Sequence, residues 1–336
     1  MVNIVKNNLD LELRIQNATQ ILLVGHVNPD GDCIGSLVGM REFLKVENKK
    51  VLVAVPNKFP DFLNFLDESK EILTYKDNKD SIVEYLQKTD LIICMDFNSM
   101  KRIDELGDLL SSCKATKILI DHHLHPDNIF DLAYSYPNIS STCEVTFWLL
   151  REILLRKNLQ FPYLSAVALY VGMMTDTNNF SNSVLPSTFQ MAGELLAVGV
   201  DKELVQEKVY SSYREERMRF MGYVLKENMK IIPKYAASII LISKEKKKEY
   251  DFKDGDTEGF VNLPLSIKDV RVSALFTEDN GFVKVSLRSK CGFSVNDLSR
   301  LYFNGGGHER ASGGKLYIPF EEVEQYYIKS LESFCK

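Results

Sequence analysis

No apolar stretch in this 336-residue chain reaches the roughly 18 residues that a membrane span needs. The N-terminal run MVNIVKNNLDLELRIQ carries acids where a secretion signal would have its apolar centre, which predicts no export and a cytoplasmic location. The six cysteines, at 33, 94, 113, 143, 291 and 335, include no CxxC pair. They stand singly in apolar or helical contexts, so reduced core thiols are expected rather than disulfides or a thiolate zinc site. A basic excess is missing too: the net charge of −5 argues against an extended duplex-binding surface. There is no GxSxG, no P-loop and no CxxxxxR, hence no sign of a side-chain nucleophile, and no internal repeat or low-complexity tract. Histidine is scarce, and all five (His26, His122, His123, His125, His308) lie within or beside motif segments.

What is present is ordinary globular composition, 45% hydrophobic and 26% charged, over a length that suggests two domains. Three apolar runs in the first 125 residues end in side chains that bind metals. ILLV leads into GHVNPDGD, with His26, Asp30 and Asp32; LIICM ends at Asp96; KILI ends at Asp121-His122-His123. Strands are expected at 20–26, 50–55, 91–96 and 115–121, with helices near 34–47, 59–66, 80–88 and 102–111. That alternation predicts an α/β fold with a doubly wound, mainly parallel sheet, in which ligands bind at the carboxyl ends of the strands. The texture turns helical from 143, and the charged stretch 201–230 reads as a helical connector with no apolar core of its own. After Pro233, strand-like runs at 237–243, 270–278 and 282–290, a helix near 294–303, the glycine-rich GGGHERASGG, a strand KLYIP and a helix over 321–334 predict a smaller α/β domain. The run KEKKKE at 244–249 reads as a solvated face, with nucleic-acid contact the alternative.

HxxxDxD after a strand lets three ligands converge on a small volume, although such a loop also commonly carries Asp as a helix cap. Asp96 and the DHH triplet at two further strand ends weigh against the capping reading, and MMTDTNNF adds Asp176 at the end of an apolar helical stretch. Imidazole beside carboxylate favours Mn²⁺ over Mg²⁺, which rarely takes nitrogen ligands. His26, Asp30, Asp32, Asp96, Asp121, His122 and Asp176 would bring five negative charges together, of which two divalent cations offset four.

These four segments, in this order, resemble motifs I to IV of the DHH phosphoesterase superfamily, and GGGHERASGG resembles the signature of its DHHA1 domain. Length and the two-domain layout look most like the branch of bifunctional nanoRNases and 3′-phosphoadenosine-5′-phosphate (pAp) phosphatases. The resemblance implies a DHH catalytic domain over 1–197, a connector over 198–232 and a DHHA1 substrate-binding domain over 233–336. It implies two Mn²⁺ ions, with Mg²⁺ less favoured: one held by His26, Asp30 and Asp96, the other by Asp32, Asp96, His122 and Asp176. Asp96 would bridge the two, Asp121 would orient a neighbouring imidazole, and His123 would act catalytically on the substrate phosphate. His125 matches no family ligand and reads as a loop residue. Where the family often has glycine after motif IV, this chain has Asn178-Asn179, and asparagine tolerates unusual backbone angles.

Five glycines within 305–314 are more than a tight turn needs, and their N–H groups could wrap an anion. His308, Arg310 and Ser312 add donors, Arg288 can fork onto a second phosphate, and Arg310 reads equally as surface charge. By resemblance, Arg288, Gly306, Gly307 and His308 hold the substrate end away from the metals. Glu258-Gly259-Phe260-Val261-Asn262 is also family-like, but its chemistry assigns it no role. The function implied is hydrolysis of short RNA to mononucleotides and of pAp to AMP, with no membrane partner and a homodimer left open. Two rivals stand beside it: a cyclic or linear dinucleotide phosphodiesterase of the same superfamily, and a catalytically silent nucleotide-binding regulator.

Overall fold

The run ILLV becomes an inner strand of a six-stranded parallel sheet in the computed structural model, which describes residues 8–253, 255–290 and 292–335. Two compact units result, one ending at Ser212 and the other starting at Tyr213. The first opens with α1 (Asn8–Asn17), β1 (Gln20–Val24), α2 (Gly31–Val46), β2 (Lys50–Val55), β3 (Ile72–Thr74), α3 (Tyr75–Leu86) and β4 (Leu91–Met95). It continues with α4 (Glu105–Ser112), β5 (Thr116–Asp121), β6 (Leu132–Ser135), α5 (Thr142–Arg156), α6 (Tyr163–Asp176), α7 (Pro186–Val198) and α8 (Lys202–Tyr210). Every residue of β1 and β4 is buried, as expected of strands covered on both faces. Ile21, Leu23, Ile93, Met95, Ile118 and Ile120 share one core with α2, α5 and α6; the alternate residues Leu22, Val24, Ile92, Cys94 and Leu119 share another with α3 and α4.

The strand order β3-β2-β1-β4-β5-β6 reverses direction between β1 and β4. Connections leaving these two strands diverge to opposite sides, which opens a crevice at their carboxyl ends, and β5 ends beside it. All three apolar runs therefore deliver their terminal Asp and His residues to one place. Two short strands, β3 and β6, were not expected; at three and four residues they are too short for a periodic signal. The helix expected from 34 starts at Gly31, because Asp30 caps it. The helix expected at 102–111 divides into a 3₁₀ turn over Met100–Ile103 and α4, separated by Asp104 at φ +45°.

α2 and α6 pack unusually closely, because small residues line the seam. A methyl group on Gly35 would stand 2.5 Å from the Ala168 carbonyl oxygen, and one on Gly172 2.2 Å from Cys143 Sγ. Close approach places the start of α2, with Asp32, beside the end of α6, with Asp176.

The second unit holds α9 (Glu215–Tyr223), β7 (Met229–Ile232), β8 (Ala237–Ile242), α10 (Lys244–Glu249), β9 (Val272–Glu278), β10 (Val283–Ser289), α11 (Val295–Tyr302), β11 (Gly306–Gly307), β12 (Ala311–Leu316) and α12 (Val323–Phe334). Its sheet runs β11-β12-β10-β9-β8-β7, with β8 and β9 parallel and the remaining pairs antiparallel. Part of the glycine-rich segment is sheet: Gly306 and Gly307 pair with Gly313 and Ser312, so the strand expected as KLYIP begins earlier, at Ala311. The stretch expected as a connector is shared between the units. Val205 and Val209 join the core of the first, while Phe220 and Val224 pack with Ile240, Phe260 and Leu275 in the second. The expectation that the cysteines are core thiols needs correction at Cys335, which is exposed at the end of α12; Cys33, Cys94 and Cys143 are buried, and Cys291 lies outside the described residues.

Gly35→Ala should drive α2 away from α6, since the obstructing atom is a backbone oxygen that cannot rotate aside. Overpacking of this kind lowers stability by roughly 1–3 kcal/mol, readable as a lower urea midpoint. An unchanged midpoint would mean that the seam separates at no cost.

Candidate metal centre

His26 follows β1 and turns its ring back on its own backbone, with Nδ1 2.8 Å from the Val27 carbonyl oxygen. A carbonyl can only accept, so Nδ1 carries a proton, and in the neutral ring Nε2 presents a lone pair. That Nε2 is buried, has no hydrogen-bond partner, and faces Asp96 Oδ2 at 3.3 Å and Asp30 Oδ1 at 3.9 Å. His122 repeats the arrangement after β5. Its Nδ1 lies 3.4 Å from the Ile139 carbonyl oxygen, and its Nε2 stands 3.5 Å from Asp176 Oδ2, 3.6 Å from Asp32 Oδ2 and 3.8 Å from Asp96 Oδ1. Lone pairs pointing at carboxylates repel unless a proton or a cation lies between them. Asp96 offers one oxygen to each imidazole.

The carboxylates are held from behind by the start of α5. Backbone N–H groups of Thr142 and Cys143 donate to Asp32 Oδ2 and Oδ1 at 2.7 and 2.8 Å, and the Thr142 hydroxyl donates to Asp96 Oδ1 at 2.8 Å. A helix N-terminus suits negative charge. Ser141 caps that helix, and the buried Glu144 one turn later accepts from Ser140, Thr188 and Trp148. Asp96 itself adopts φ +64°, a left-handed conformation that costs a non-glycine residue about 1–3 kcal/mol and persists where surrounding structure enforces it.

Asp30, named as a ligand, also performs the capping role: its Oδ1 accepts from the Asp32 and Cys33 N–H groups, and its side chain is about half exposed. His123 has both ring nitrogens engaged, Nδ1 with Asp121 Oδ1 at 2.7 Å and Nε2 with Arg102 Nη1 at 2.8 Å. Asp121 is fully buried and its second oxygen has no hydrogen-bond partner. His26, Asp30, Asp32, Asp96, Asp121, His122, His123 and Asp176 thus gather as one cluster. Asn178, Asn179 and the next residue, Phe180, all take positive φ (+48°, +53° and +63°), so asparagine does occupy the backbone positions where the family favours glycine. His125 sits in the following loop at φ +57°.

Reading the sequence missed Arg102, Thr142 and Cys143. The second and third carried a signal, Ser-x-x-Glu at 141–144 immediately before an apolar helix, which is a capping-box pattern. Arg102 carried none.

In the second unit, Gly306 and Gly307 form the hairpin strand, and the Gly307 N–H donates to Asn296 Oδ1 at 3.0 Å. Two of the glycines have a packing reason: a methyl on Gly305 would lie 1.8 Å from the Gly313 carbonyl oxygen, and one on Gly314 2.3 Å from that of Phe303. The buried Ser312 hydroxyl donates to the His308 carbonyl, while Arg288 and His308 are half-buried and Arg310 is exposed. Glu258 to Asn262 acquires a structural account. Arg217, stacked 3.6 Å from the Tyr213 ring, donates to the Glu258 carbonyl, and Gly259 at φ +81° starts the turn that buries Phe260.

Burial resists a charged His26 and a charged His122, yet neighbouring carboxylates outweigh it, Asp96 at the first and Asp176 with Asp96 at the second, and both pKa values rise above 6.5. Asp32 is raised well above 3.8, first by burial and then by repulsion from Asp96, Asp176 and Asp30. Asp96 goes the other way despite its burial, because three imidazoles surround it. His123 is lowered, by burial and by Arg102. Cys33, whose Sγ lies near His26 and Asp96, is pushed well above 9.0 and stays a neutral thiol. The donors fit a divalent cation: carboxylate oxygens and two imidazole Nε2 atoms converge on one small volume, and a cation there would take the place of the protons that the raised pKa values of His26 and His122 favour.

The model of the DHH family N-terminal domain matches residues 20–173, and that of the DHHA1 domain matches 233–336. The chain is 30% identical to the "Probable bifunctional oligoribonuclease and PAP phosphatase NrnA" of Streptococcus mutans, over 93% of this chain and 94% of that protein. It is 28% identical to the "Bifunctional oligoribonuclease and PAP phosphatase NrnA" of Bacillus subtilis, over 94% and 95%. The crystal structure of an exopolyphosphatase-related protein from Bacteroides fragilis superposes with a TM-score of 0.92 at 40% identity, over 99% of this chain and 98% of that one.

Metal-free, His26 and His122 bind protons more tightly folded than unfolded, so their contribution to stability is full below pH 6.5 and is lost as pH rises through their raised values. Metal binding requires them unprotonated. Stabilisation by added Mn²⁺, read as a shift in melting temperature, should therefore grow from about pH 6 to about pH 9. A shift that does not change with pH would remove both imidazoles from the binding set.

Proposed function

Because this chain belongs to the DHH family and carries a DHHA1 domain, we propose that it is a metal-dependent phosphoesterase that hydrolyses short oligoribonucleotides to mononucleotides and pAp to AMP. What carries the metal dependence is the pair of imidazoles, His26 and His122, that turn Nε2 toward Asp30, Asp32, Asp96 and Asp176 at 3.3 to 3.9 Å. His26, Asp30 and Asp96 would hold one divalent cation, and Asp32, Asp96, His122 and Asp176 a second, with Asp96 offering one oxygen to each. Mn²⁺ suits two nitrogen donors better than Mg²⁺ does. Two such ions, when bound, supply an acidified water and offset charge on the phosphoryl oxygens.

The residues of the chain do the positioning. Thr142 and Cys143 fix the carboxylate orientations that two cations need, and Asp121 fixes the His123 ring. His123 serves the substrate phosphate without being a ligand. In the DHHA1 domain, Arg288, His308, Arg310, Ser312 and the Gly306-Gly307 turn are the proposed contacts to the nucleotide's other phosphate. Such substrates are cytoplasmic nucleotides, and the described cysteines are all free thiols.

Purified protein with Mn²⁺ should release phosphate from pAp and mononucleotides from linear dinucleotides, while long single strands and pyrophosphate should be poor substrates. Asp96→Ala should abolish both activities, because it removes a donor from each imidazole's site, and Mn²⁺ should restore chelated enzyme better than Mg²⁺. Turnover retained in Asp96→Ala would overturn the two-cation assignment. Hydrolysis of cyclic dinucleotides alone would transfer the chain to the rival branch of the superfamily.

A further inference from the structure

Arg102 enters a cluster of five carboxylates and yet pairs with none of them. Its Nη1 donates to His123 Nε2 at 2.8 Å, and among the described residues its guanidinium makes no other hydrogen bond and no ion pair. Arginine beside exposed or half-exposed aspartate ordinarily forms a forked pair with it. Here an imidazole holds the guanidinium instead, which leaves the ligand carboxylates to cations and keeps most of the five N–H donors of the fork unused.

The arginine is also fixed at its backbone from both sides. Its carbonyl oxygen accepts from the Val27 N–H at 2.8 Å, which ties it to the loop of His26 and Asp30. The turn before it is tied to the loop after His123: Asn98 Nδ2 donates to the Leu124 carbonyl at 2.5 Å, the Asp127 N–H donates to the Asn98 carbonyl at 2.8 Å, and the Met100 N–H donates to Asp127 Oδ2 at 3.1 Å. Asp121 is buried, holds His123 Nδ1, and so completes a chain Asp121–His123–Arg102 whose last member is half-buried.

We propose that Arg102 is the group of this domain that meets the phosphoryl oxygens of the substrate, and that His123 is the positioning residue that aims it. This rests on the phosphoester reading above. His123 was expected to face the phosphate itself, but both of its nitrogens are engaged, so its influence on the phosphate passes through Arg102. Charge agrees with the assignment. Two divalent cations offset four of the five carboxylates, Arg102 offsets the fifth, and the incoming anion meets a neutral cluster whose free donors belong to a rigid fork made for tetrahedral oxyanions.

Orthophosphate is the first probe, since its binding does not depend on which nucleotide is cleaved. Calorimetry on Mn²⁺-loaded protein should show affinity for orthophosphate falling on the order of 10- to 100-fold in Arg102→Ala, with Mn²⁺ content unchanged. The specificity constant for pAp should fall at least as far. Arg102→Lys should recover little, because a point charge cannot replace the fork. His123→Ala should cause a comparable loss, and the double variant should be no worse than Arg102→Ala alone, since both act on one contact. Equal orthophosphate affinity in wild type and Arg102→Ala would overturn the proposal, as would fully additive losses or loss of Mn²⁺ from the variant. If Arg102→Ala does not fold, Arg102→Lys carries the same comparison. Failure of the wild type to cleave pAp or dinucleotides would defeat the substrate reading and leave the orthophosphate result to decide Arg102.

Discussion

Repulsion between acidic side chains crowded at one end of a parallel sheet is the constraint on which the first domain depends. Asp32, Asp96 and Asp121 are all but fully buried, and Asp32 is driven well above its ordinary pKa by that burial and by its neighbours. Such an arrangement persists because donors are placed behind the carboxylates before any cation arrives. The first turn of α5 supplies three of them, two backbone N–H groups and one hydroxyl. Helix α5 is therefore a piece of the site as well as of the core. It fixes which oxygen of Asp96 faces which imidazole.

Two packing devices bring the acids together. One is topological: reversal of strand order between β1 and β4 opens the crevice into which β1, β4 and β5 all discharge. The other is steric: glycines along the seam of α2 and α6 let a helix that starts with Asp32 run close beside one that ends with Asp176. Neither device includes a ligand, yet the distances from His122 Nε2 to Asp32 and Asp176 rest on the second of them. Backbone strain is concentrated in the same place. Asp96 and the triplet Asn178 to Phe180 adopt left-handed conformations at the site, where the surrounding contacts enforce them.

Much of this was legible in the residue order because buried parallel strands are continuous apolar runs, and a run that ends in Asp or His shows where its carboxyl end delivers chemistry. His26, Asp96 and His122 were visible for that reason. Arg102 and Thr142 were not, since each acts through a contact between segments far apart in sequence: Thr142 reaches Asp32 across 110 residues, and Arg102 reaches His123 from a 3₁₀ turn without periodicity. The glycine-rich segment was only half readable. Glycine that cradles an anion and glycine that lets two backbones touch look alike in sequence, and the hairpin of β11 and β12 uses at least part of the segment for the second purpose.

The same domain contains a second acidic cluster, gathered around a buried arginine, and the contrast supports the proposal that the first takes cations from outside the chain. Arg41 is 1% exposed and its charge is met by Asp67 at 2.6 Å, Glu42 at 2.8 Å and Glu71 at 3.2 Å, while Lys45 reaches Glu71 at 2.5 Å. There the chain brings its own cations into direct contact with its acids, as burying charge requires. At the carboxyl end of the sheet it does the opposite. The nearest arginine is bonded to an imidazole, His26 and His122 turn Nε2 toward the carboxylates, and backbone donors grip the outer side of Asp32. Among the described residues, a cluster of acids that the fold could have paired with its own lysines and arginines, and does not, is what the proposed binding of divalent cations, and of a phosphate drawn to them, would require.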